Sequence, residues 1–270
     1  MRGSIIGDII GSAFNKSPQS PTEFQLLKPF SAYTDDTVLT MAIADAVLNN
    51  TPYDQSLRNW TRKFPKAGYR KKFLDWALSD KDHNQYNSDG DGAARRVSPI
   101  GFAATSLEEA MENAELATVI THSSENKIKA AQAMTGSIYL AKTGHKKSEI
   151  RNYLTETIGY NLPEKLDKEE AKQLMERYNS PAPAALLAFL DSNDFEEAIR
   201  KAIWLDGPSN TIAAITGGIA QAYYKHIPKA LLRKTLSRID TDMEAMMEDF
   251  EDKFCSDVVN DKQEIKFNFH

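Results

Sequence analysis

Apolar and small residues recur at helical spacing through most of this sequence, and this feature limits the fold more than any other. One clear run begins after Thr37, stops at Asn49 and Asn50, and carries on one face Val38, Met41, Ala42 and Ala46. The alternation typical of strands is absent except in the tail 264–270, which we interpret as an edge or a frayed end. The sequence therefore predicts an all-α fold.

Helix-capping residues mark where further helices begin. Ser106, followed three residues later by Glu109, forms a capping-box pattern for a helix over 107–119. Ser123 or Ser124 is predicted to cap a longer helix that Gly144 ends. The other predicted starts are Ser148, Asn193 or Asp194 (helix 195–204), Ser209 or Asn210 (a helix closed by Pro228), and a second capping box of Thr241 and Glu244.

Composition excludes several classes of protein. The chain has 270 residues, of which 41% are hydrophobic and 26% charged, as in ordinary globular proteins. A net charge of -5 argues against a nucleic-acid partner, because phosphate binding needs a concentrated basic surface. No stretch is long enough to span a bilayer or to form a signal peptide, so we expect a cytoplasmic protein. With no linker of low complexity, residues 1–270 are predicted to form a single domain.

Two carboxylates flanked by two hydroxyls form the first group of residues that can carry chemistry. Thr34, Asp35, Asp36 and Thr37 stand at the start of a predicted helix. Oxygen ligands of this kind suit a hard cation such as Mg²⁺. The same residue types also favour a helix N-terminus, where they cap amide groups and oppose the dipole. The tetrapeptide alone leaves both interpretations open.

Two predicted loops, 15–29 and 80–99, are rich in Pro, Ser, Asn, Asp and Gly, and the second contains a glycine-rich stretch. Gly90 and Gly92 allow a backbone to approach a ligand closely, and consecutive amide groups can cradle a phosphate. A plain turn explains the stretch equally well. Arg95 and Arg96 follow it and add positive charge, although Arg96 is also suited to holding a carboxylate within the fold.

Two further segments precede predicted helices. His122 is suited to contacting a sugar or to serving as a structural residue with satisfied hydrogen bonds. Ser209, Asn210 and Thr211 stand at the start of a helix of small residues, a position favourable to anions, although an ordinary capped helix fits as well.

Taken in order along the chain, these motifs resemble the ADP-ribosyl-glycohydrolase family, which includes the dinitrogenase reductase-activating enzymes. The resemblance covers about residues 5–228 and is strongest in the first and last motifs, which are specific as a pair. It is carried by Gly7-Asp8-x-x-Gly11, Thr34-Asp35-Asp36-Thr37, Gly90-x-Gly92, the stretch from Arg96 to Ala103, Thr121-His122 and the helix from Thr211.

The resemblance implies a compact, orthogonal multi-helix fold with a central cleft for metal and ADP-ribose. Family members hydrolyse the bond between ADP-ribose and a protein side chain, or a related ADP-ribosyl linkage, and hold two Mg²⁺ ions. The implied partner is ADP-ribose or an ADP-ribosylated protein. The implied contacts are metal for Thr34, Asp35, Asp36 and Thr211, diphosphate and ribose for Ser88, Asp89, Gly90, Asp91 and Gly92, and ribose for His122.

The sequence departs from the family pattern in the last motif, which usually reads Gly-Gly-Asp-x-Asp-Thr. Pro208 and Asn210 stand where the two aspartates are expected. Two carboxylates hold a charge of about +4 much less favourably than four do. We therefore expect one Mg²⁺ rather than two, with Asp206 as a substitute ligand to be tested and with the ligand set Thr34, Asp35, Asp36, Asn210 and Thr211.

Three more departures lie nearer the N-terminus. Asn15 stands where some family members carry a glutamate thought to act in catalysis. Asp91 replaces an asparagine and places negative charge beside the expected diphosphate. Arg95 replaces a methionine, and we expect it to offset the charge of Asp91.

Two hypotheses follow from the resemblance and its departures. The first is a hydrolase with a degenerate metal site, in which Asp35 or Asp36 is the catalytic residue that positions a water for attack on the anomeric carbon. The second is a catalytically inactive relative that binds ADP-ribose or a protein partner.

Overall fold

A computed structural model describes residues 1–14, 16–79 and 86–255, whose regular secondary structure is entirely helical, with no strand among them. This confirms the all-α prediction for the described residues, and the tail 264–270 lies outside them. The helices are α1 (Arg2–Gly11), α2 (Asp35–Asn49), α3 (Tyr53–Lys63), α4 (Lys71–Leu78), α5 (Gly92–Arg96), α6 (Ser98–Ala103), α7 (Leu107–Val119), α8 (Glu125–Lys142), α9 (Lys147–Asn152), α10 (Lys168–Tyr178), α11 (Ala182–Leu190), α12 (Phe195–Trp204), α13 (Ser209–Tyr224), α14 (Lys229–Leu236) and α15 (Thr241–Phe254). A π-helical turn, Tyr153–Thr157, continues α9.

Several predicted helix ends are confirmed. Ser106 caps α7 by accepting a hydrogen bond from the backbone N–H of Glu109, and Asp194 caps α12 in the same way. Ser124 precedes α8, and Gly144 follows its end with a φ of 90°, a conformation that glycine adopts without strain. The predicted α2 face is buried, but its opposite side is buried too, so α2 lies inside the molecule rather than at its edge.

Other predicted ends were wrong. The capping residue of α15 is Asp240, whose carboxylate accepts from the N–H of Asp242, so Thr241 and Glu244 form no capping box. Helix α9 begins at Lys147, one residue before Ser148. By contrast, the predicted start of α13 is confirmed, since the helix begins at Ser209 and Pro208 is its N-cap residue. The second predicted loop is helical from Gly92 onward, because α5 and α6 lie within it.

The closest helix pair is α1 against α13, and glycines make this contact. A Cβ atom added to Gly3 would lie 2.0 Å from the carbonyl oxygen of Gly217, and one added to Gly7 would lie 2.0 Å from that of Ala213. At Gly11 the same atom would lie 2.4 Å from the Cα of Asn210. The two backbones therefore touch along three turns, and we call this contact the glycine seam.

The glycine seam positions the polar residues at one end of the molecule. Helix α13 also packs against α8, α11 and α12, which places it in the centre of the fold. Most of the buried hydrophobic side chains form one cluster across these helices, while the single-domain expectation stays a prediction. Asp8 near the end of α1, the N-terminus of α2 and the N-terminus of α13 meet where the seam ends. In the described residues, no helix is both long and apolar enough to cross a membrane.

Candidate functional site

Asp8 is the residue around which the first motif is arranged. Its side chain is completely buried. It accepts hydrogen bonds from both the backbone N–H and the hydroxyl of Thr34, at 2.8 and 2.6 Å, and from the same groups of Thr37, at 3.2 and 2.6 Å. These are N-terminal groups of α2, where a negative charge is stabilised by the helix dipole. Asp8 therefore joins α1 to α2, and both threonine hydroxyls of the motif donate to it.

Thr34 also acts as the N-cap of α2. Its hydroxyl oxygen accepts from the N–H of Asp36 at 3.2 Å. The helix-capping interpretation of the tetrapeptide is therefore confirmed for Thr34. Asp35 and Asp36 lie in the first turn of the helix, with their carboxylates directed toward a third group.

That third group is the guanidinium of Arg95, on α5. Its Nη2 lies 2.6 Å from Oδ2 of Asp35, and its Nη1 contacts Oδ1 of Asp36 and lies 3.3 Å from Oδ1 of Asp35. The Arg95 side chain is 17% exposed and that of Asp36 only 1%, so this is a largely buried ion-pair cluster. The expectation that Arg95 offsets Asp91 was wrong, since Arg95 neutralises the first motif instead.

The last motif contacts the same cluster. Oδ2 of Asp36 accepts from the hydroxyl of Thr211 and from the side-chain amide of Asn210, both at 3.2 Å. The amide of Asn210 also lies 3.4 Å from Oδ1 of Asp8. The structure therefore brings together all five residues predicted as metal ligands, Thr34, Asp35, Asp36, Asn210 and Thr211.

Burial sets the protonation behaviour of the cluster. It raises the pKa of Asp36 well above the usual range, and the nearby charges of Asp8 and Asp35 add to the rise while Arg95 opposes it. Burial raises the pKa of Asp35 as well, again against the influence of Arg95. Arg95 is therefore the charge that opposes the rise in the pKa of both carboxyls.

The glycine-rich loop is fixed by bonds at both ends. The backbone N–H of Ser88 donates to the carbonyl of Thr121 at 2.7 Å, and the Ser88 hydroxyl accepts from the N–H of Gly90 at 3.1 Å. Asp91 pairs with Lys127 on α8 at 2.8 Å, and the lysine is 2% exposed. Lys127, rather than Arg95, therefore neutralises Asp91.

His122 has one ring nitrogen held and one free. Arg96 donates to the Thr121 hydroxyl and to the carbonyl of Ala117, both at 2.8 Å, so it holds no carboxylate and that interpretation was wrong. The Thr121 hydroxyl lies 2.8 Å from Nδ1 of His122. Because a guanidinium only donates, the Thr121 oxygen accepts from Arg96, and its own hydrogen is available to donate to Nδ1. We assign the ring hydrogen on this basis to Nε2, a buried atom without a hydrogen-bond partner among the described residues.

The surroundings of His122 keep it neutral. Burial lowers its pKa to about 3, and the charges of Arg96, Lys127 and Arg95 contribute to the shift, partly opposed by the backbone of Gly90. The side chain is 3% exposed. His122 is therefore a hydrogen-bond donor through Nε2–H at physiological pH, not a cation.

These groups line one open cleft with a cavity volume of about 200 Å³. Of the predicted site residues, it is lined by Asp35, Ser88, Gly90, Asp91, Gly92, His122, Asn210 and Thr211. Asp89 is exposed and, like Thr34 and Asp36, is not among the residues that line this cleft.

Sequence reasoning missed one side of the cleft, formed by Arg70, Phe73 and Tyr86. The rings of Phe73 and Tyr86 lie 6.3 Å apart and meet edge to face. Phe73 belongs with Tyr69 and Trp76 to an aromatic series at helical spacing, a pattern typical of core residues. This spacing does not distinguish a core residue from one that lines a cleft. We call Phe73 and Tyr86 the aromatic wall.

The donor set of the cluster does not fit a pair of divalent ions. Pro208 has no ligating side chain, and Asn210 turns its amide N–H toward the carboxylates. The oxygens of Asp35 and Asp36 are already shared by Arg95, Thr211 and Asn210. No group of three or more His, Cys, Asp or Glu residues suited to a metal is found among residues 1–14, 16–79 and 86–255. The expected Mg²⁺ stays a prediction that this geometry does not favour.

Two other expectations about the site have definite outcomes. Asp206 contacts the hydroxyl of Ser17 and lies 3.8 Å from Nζ of Lys168, and its side chain is 62% exposed. It is therefore held outside the cleft and does not replace a lost ligand. Asn15 lies outside the described residues.

Comparison with known proteins gives one consistent result. The model of the ADP-ribosylglycohydrolase family matches residues 1–259. ADP-ribosylhydrolase ARH3 of Mus musculus is 22% identical over 306 residues, covering 83% of this chain and 82% of that protein. ADP-ribosylarginine hydrolase Tri1 of Pseudomonas putida is 24% identical, covering 82% of this chain and 68% of its own. Among solved structures, an ADP-ribosylglycohydrolase-related protein complex has the same fold, with a TM-score of 0.67, 22% identity, and coverage of 92% of this chain and 94% of that one.

Proposed function

The chain belongs to the ADP-ribosylglycohydrolase family, and we propose that it is an ADP-ribosyl hydrolase acting on an ADP-ribosylated protein side chain or a related ADP-ribosyl linkage. One observation carries the proposal. The Asp35 carboxylate, the His122 donor and the glycine-rich loop, which belong to three separate parts of the chain, line the same cleft. A chain that kept only the fold would not need these three groups to line the same surface. Relatives whose names state this activity support it.

The cleft offers a contact for each part of an ADP-ribosyl group. The aromatic wall offers ring faces and edges to the adenine base. Gly90 and Gly92 leave room for a diphosphate to approach the backbone, and the exposed Arg70 at the mouth adds positive charge. His122 presents its Nε2–H to a ribose oxygen.

Asp35 is the residue that we assign to the hydrolytic step. Glycosidic bonds are cleaved in many enzymes by carboxylates through an oxocarbenium-like transition state. Asp35 accepts a proton from a water, whose oxygen bonds to the anomeric carbon as the bond from that carbon to the side-chain atom breaks. The departing atom takes up a proton from solvent. Asp36 lies behind Asp35 and positions Arg95, so it is a positioning residue in this scheme.

A second function is favoured by the ion pairs of Arg95. Both carboxylate oxygens of Asp35 interact with this guanidinium, which weakens Asp35 as a base. A protein that binds ADP-ribosyl groups without cleaving them is the alternative, and the same cleft serves it.

Two measurements on one preparation separate these functions. Peptides ADP-ribosylated on arginine or serine are incubated with the protein, and released ADP-ribose is quantified with Asp35→Asn as the matched variant. Calorimetric titration with ADP-ribose is run in parallel. Release that is lost in the variant supports the hydrolase, binding without release supports the alternative, and absence of both contradicts the two.

A further inference from the structure

We propose that Arg95 is the resident cation of the cleft: its Nη groups hold Asp35 and Asp36 where family members hold divalent ions, and its Nε–H, with His122 Nε2–H, binds a ligand oxygen. The half of this proposal that concerns the ligand rests on the proposed function. The half that concerns the cation stands on the geometry of the cluster alone.

The first argument is charge. Asp8, Asp35 and Asp36 are the acidic residues of the cluster, because Pro208 and Asn210 occupy the two positions from which the family's last motif supplies aspartates. Asp8 is stabilised by four hydrogen bonds from Thr34 and Thr37 at the start of α2. The remaining two carboxylates share one guanidinium, so a single positive charge faces a site that lacks the negative charge to retain two divalent ions.

The second argument is occupancy. A divalent ion needs carboxylate oxygens that are free to coordinate it. Oδ1 and Oδ2 of Asp35 and Oδ1 of Asp36 face Arg95, and Oδ2 of Asp36 accepts from Thr211 and Asn210. Each oxygen of the pair therefore already has a donor. A metal ion can bind there only if it displaces the Arg95 guanidinium, which is largely buried and makes charge-assisted hydrogen bonds to both carboxylates.

The third argument comes from two donors that are left over. Among the residues that the structure describes, Nε of Arg95 and Nε2 of His122 are both buried and have no hydrogen-bond partner. An unpaired buried donor is costly, so a pair of them points to an acceptor that the ligand supplies. A carbon placed on Gly92 would lie 3.8 Å from Nε of Arg95 and 3.7 Å from Nε2 of His122.

Both donors thus border the same space, and glycine at position 92 keeps that space open. The Arg96 and Thr121 bonds are compatible with the Nε2–H tautomer that we assign to His122. The acceptor is either a diphosphate or a ribose oxygen of the ADP-ribosyl group, which share the same hydrogen-bonding chemistry. Titrations with ADP and with ribose 5-phosphate distinguish the two sources.

Metal binding tests the cation half. Mn²⁺ is titrated into the wild-type protein and followed by electron paramagnetic resonance, beside a variant that restores the family residues, R95M/P208D/N210D. We expect no binding by the wild type at 1 mM Mn²⁺. We expect the variant to bind Mn²⁺ with a dissociation constant at least tenfold below 1 mM. Circular dichroism confirms that the variant is folded. Wild-type binding that is lost in Asp35→Ala, or a folded variant without affinity, overturns this half.

If the triple variant does not fold, nuclear magnetic resonance of the wild type decides the same question. Mn²⁺ bound at the cluster would broaden the Nε–H signal of Arg95 and the ring signals of His122 at equimolar metal. Unbroadened signals support the resident cation, and broadened ones overturn it.

Gly92→Ala tests the ligand half. The added methyl group meets no atom closer than 3.4 Å, so the fold accommodates it while the space between the two donors is filled. We expect ADP-ribose to bind at least tenfold more weakly to Gly92→Ala and to His122→Ala, with or without EDTA. His145→Ala, on a histidine outside the cleft lining, is the matched control and should bind as the wild type does.

The two proposals fail in different ways. Wild-type binding of ADP-ribose that Gly92→Ala leaves intact overturns the ligand half of the inference but not the proposed function. No wild-type binding at all overturns the proposed function and the ligand half with it, while the Mn²⁺ result still decides the cation half.

Discussion

The glycine seam and the cleft at its end are built on opposite principles. In the seam, α1 and α13 touch through backbone atoms, and a side chain added at Gly3 or Gly7 would overlap a carbonyl oxygen. In the cleft, charged side chains neutralise one another across α1, α2, α5 and α13. The seam is specified by the absence of side chains, and the cleft by which side chains are paired. Substitution in the seam is therefore limited by backbone overlap, whereas substitution in the cleft is limited by the pairing of its charges.

The strongest test of this contrast is Gly7→Ala. Its methyl group would lie 2.0 Å from the carbonyl oxygen of Ala213 and 2.7 Å from the backbone nitrogen of Ala214, neither of which can rotate away. We expect the free energy of unfolding to fall by about 4 kcal/mol or more, above the usual cost of overpacking. Urea unfolding measures it. Gly92→Ala, the same substitution in open space, should leave stability unchanged or raise it by about 0.5–1 kcal/mol. Equal effects at the two positions would contradict the comparison.

The next largest effect is expected for Arg95→Met. Removing the cation leaves Asp35 and Asp36 buried without their partner, which costs about 3–5 kcal/mol at neutral pH. Loss of Arg95 removes the influence that opposes the raised pKa of both carboxyls, so both take up protons at higher pH than before.

A group whose pKa is raised on folding adds stability as pH falls, so the deficit of Arg95→Met should be smaller at pH 5 than at pH 8. Thermal unfolding at the two pH values checks this. A deficit that does not depend on pH would show that the cost arises from lost packing instead of charge.

A smaller effect is expected for Lys127→Met. Lys127 is almost fully buried, and it holds Asp91 at 2.8 Å while also donating to the carbonyl of Asn179. Breaking these bonds should cost about 1–3 kcal/mol in chemical unfolding. Lys129→Met on the same helix breaks the exposed pair with Glu125 and should cost about 0.5 kcal/mol or less. Equal losses of stability in the two variants would show that the buried pair of Lys127 and Asp91 does not stabilise the loop.

The smallest expected change concerns His122 between pH 8 and pH 5, where its charge should stay constant. Its pKa of about 3 lies below the usual value of about 6.5, so its contribution to stability is complete above pH 6.5 and is lost as pH falls toward 3. Ring ¹⁵N shifts should report a neutral Nε2–H tautomer across pH 5–8. Protonation near pH 6, or a hydrogen on Nδ1, would contradict the arrangement derived from Thr121 and Arg96.

The sequence identified residues of the seam and of the cleft, but not the contacts that these residues make. Gly7, Gly11 and the small residues of α13 belong to motifs recognised in advance, and Asp35, Asp36, Asn210 and Thr211 do meet. The pairing of Arg95 was missed, because its position next to Asp91 in sequence suggested a local partner, whereas α5 turns its side chain toward α2. Partner choice among buried charges depends on helix orientation, which residue spacing alone does not give.

Helix ends were missed for a related reason. Asp240 and Thr241 both suit an N-cap, and only the backbone conformation distinguishes them. The aromatic wall was not predicted, because residues that line a cleft and residues that fill a core occur at the same helical spacing.

The position of Arg95 also determines which single substitutions the centre of the cleft accepts. An aspartate at position 210 alone would add negative charge beside Asp8 and Asp36, which share the influence of one guanidinium. Removing Arg95 alone leaves Asp35 and Asp36 buried without their cation. The charges at the centre of the cleft are therefore coupled, and exchanging them requires simultaneous substitutions, whereas residues at the rim can change one at a time.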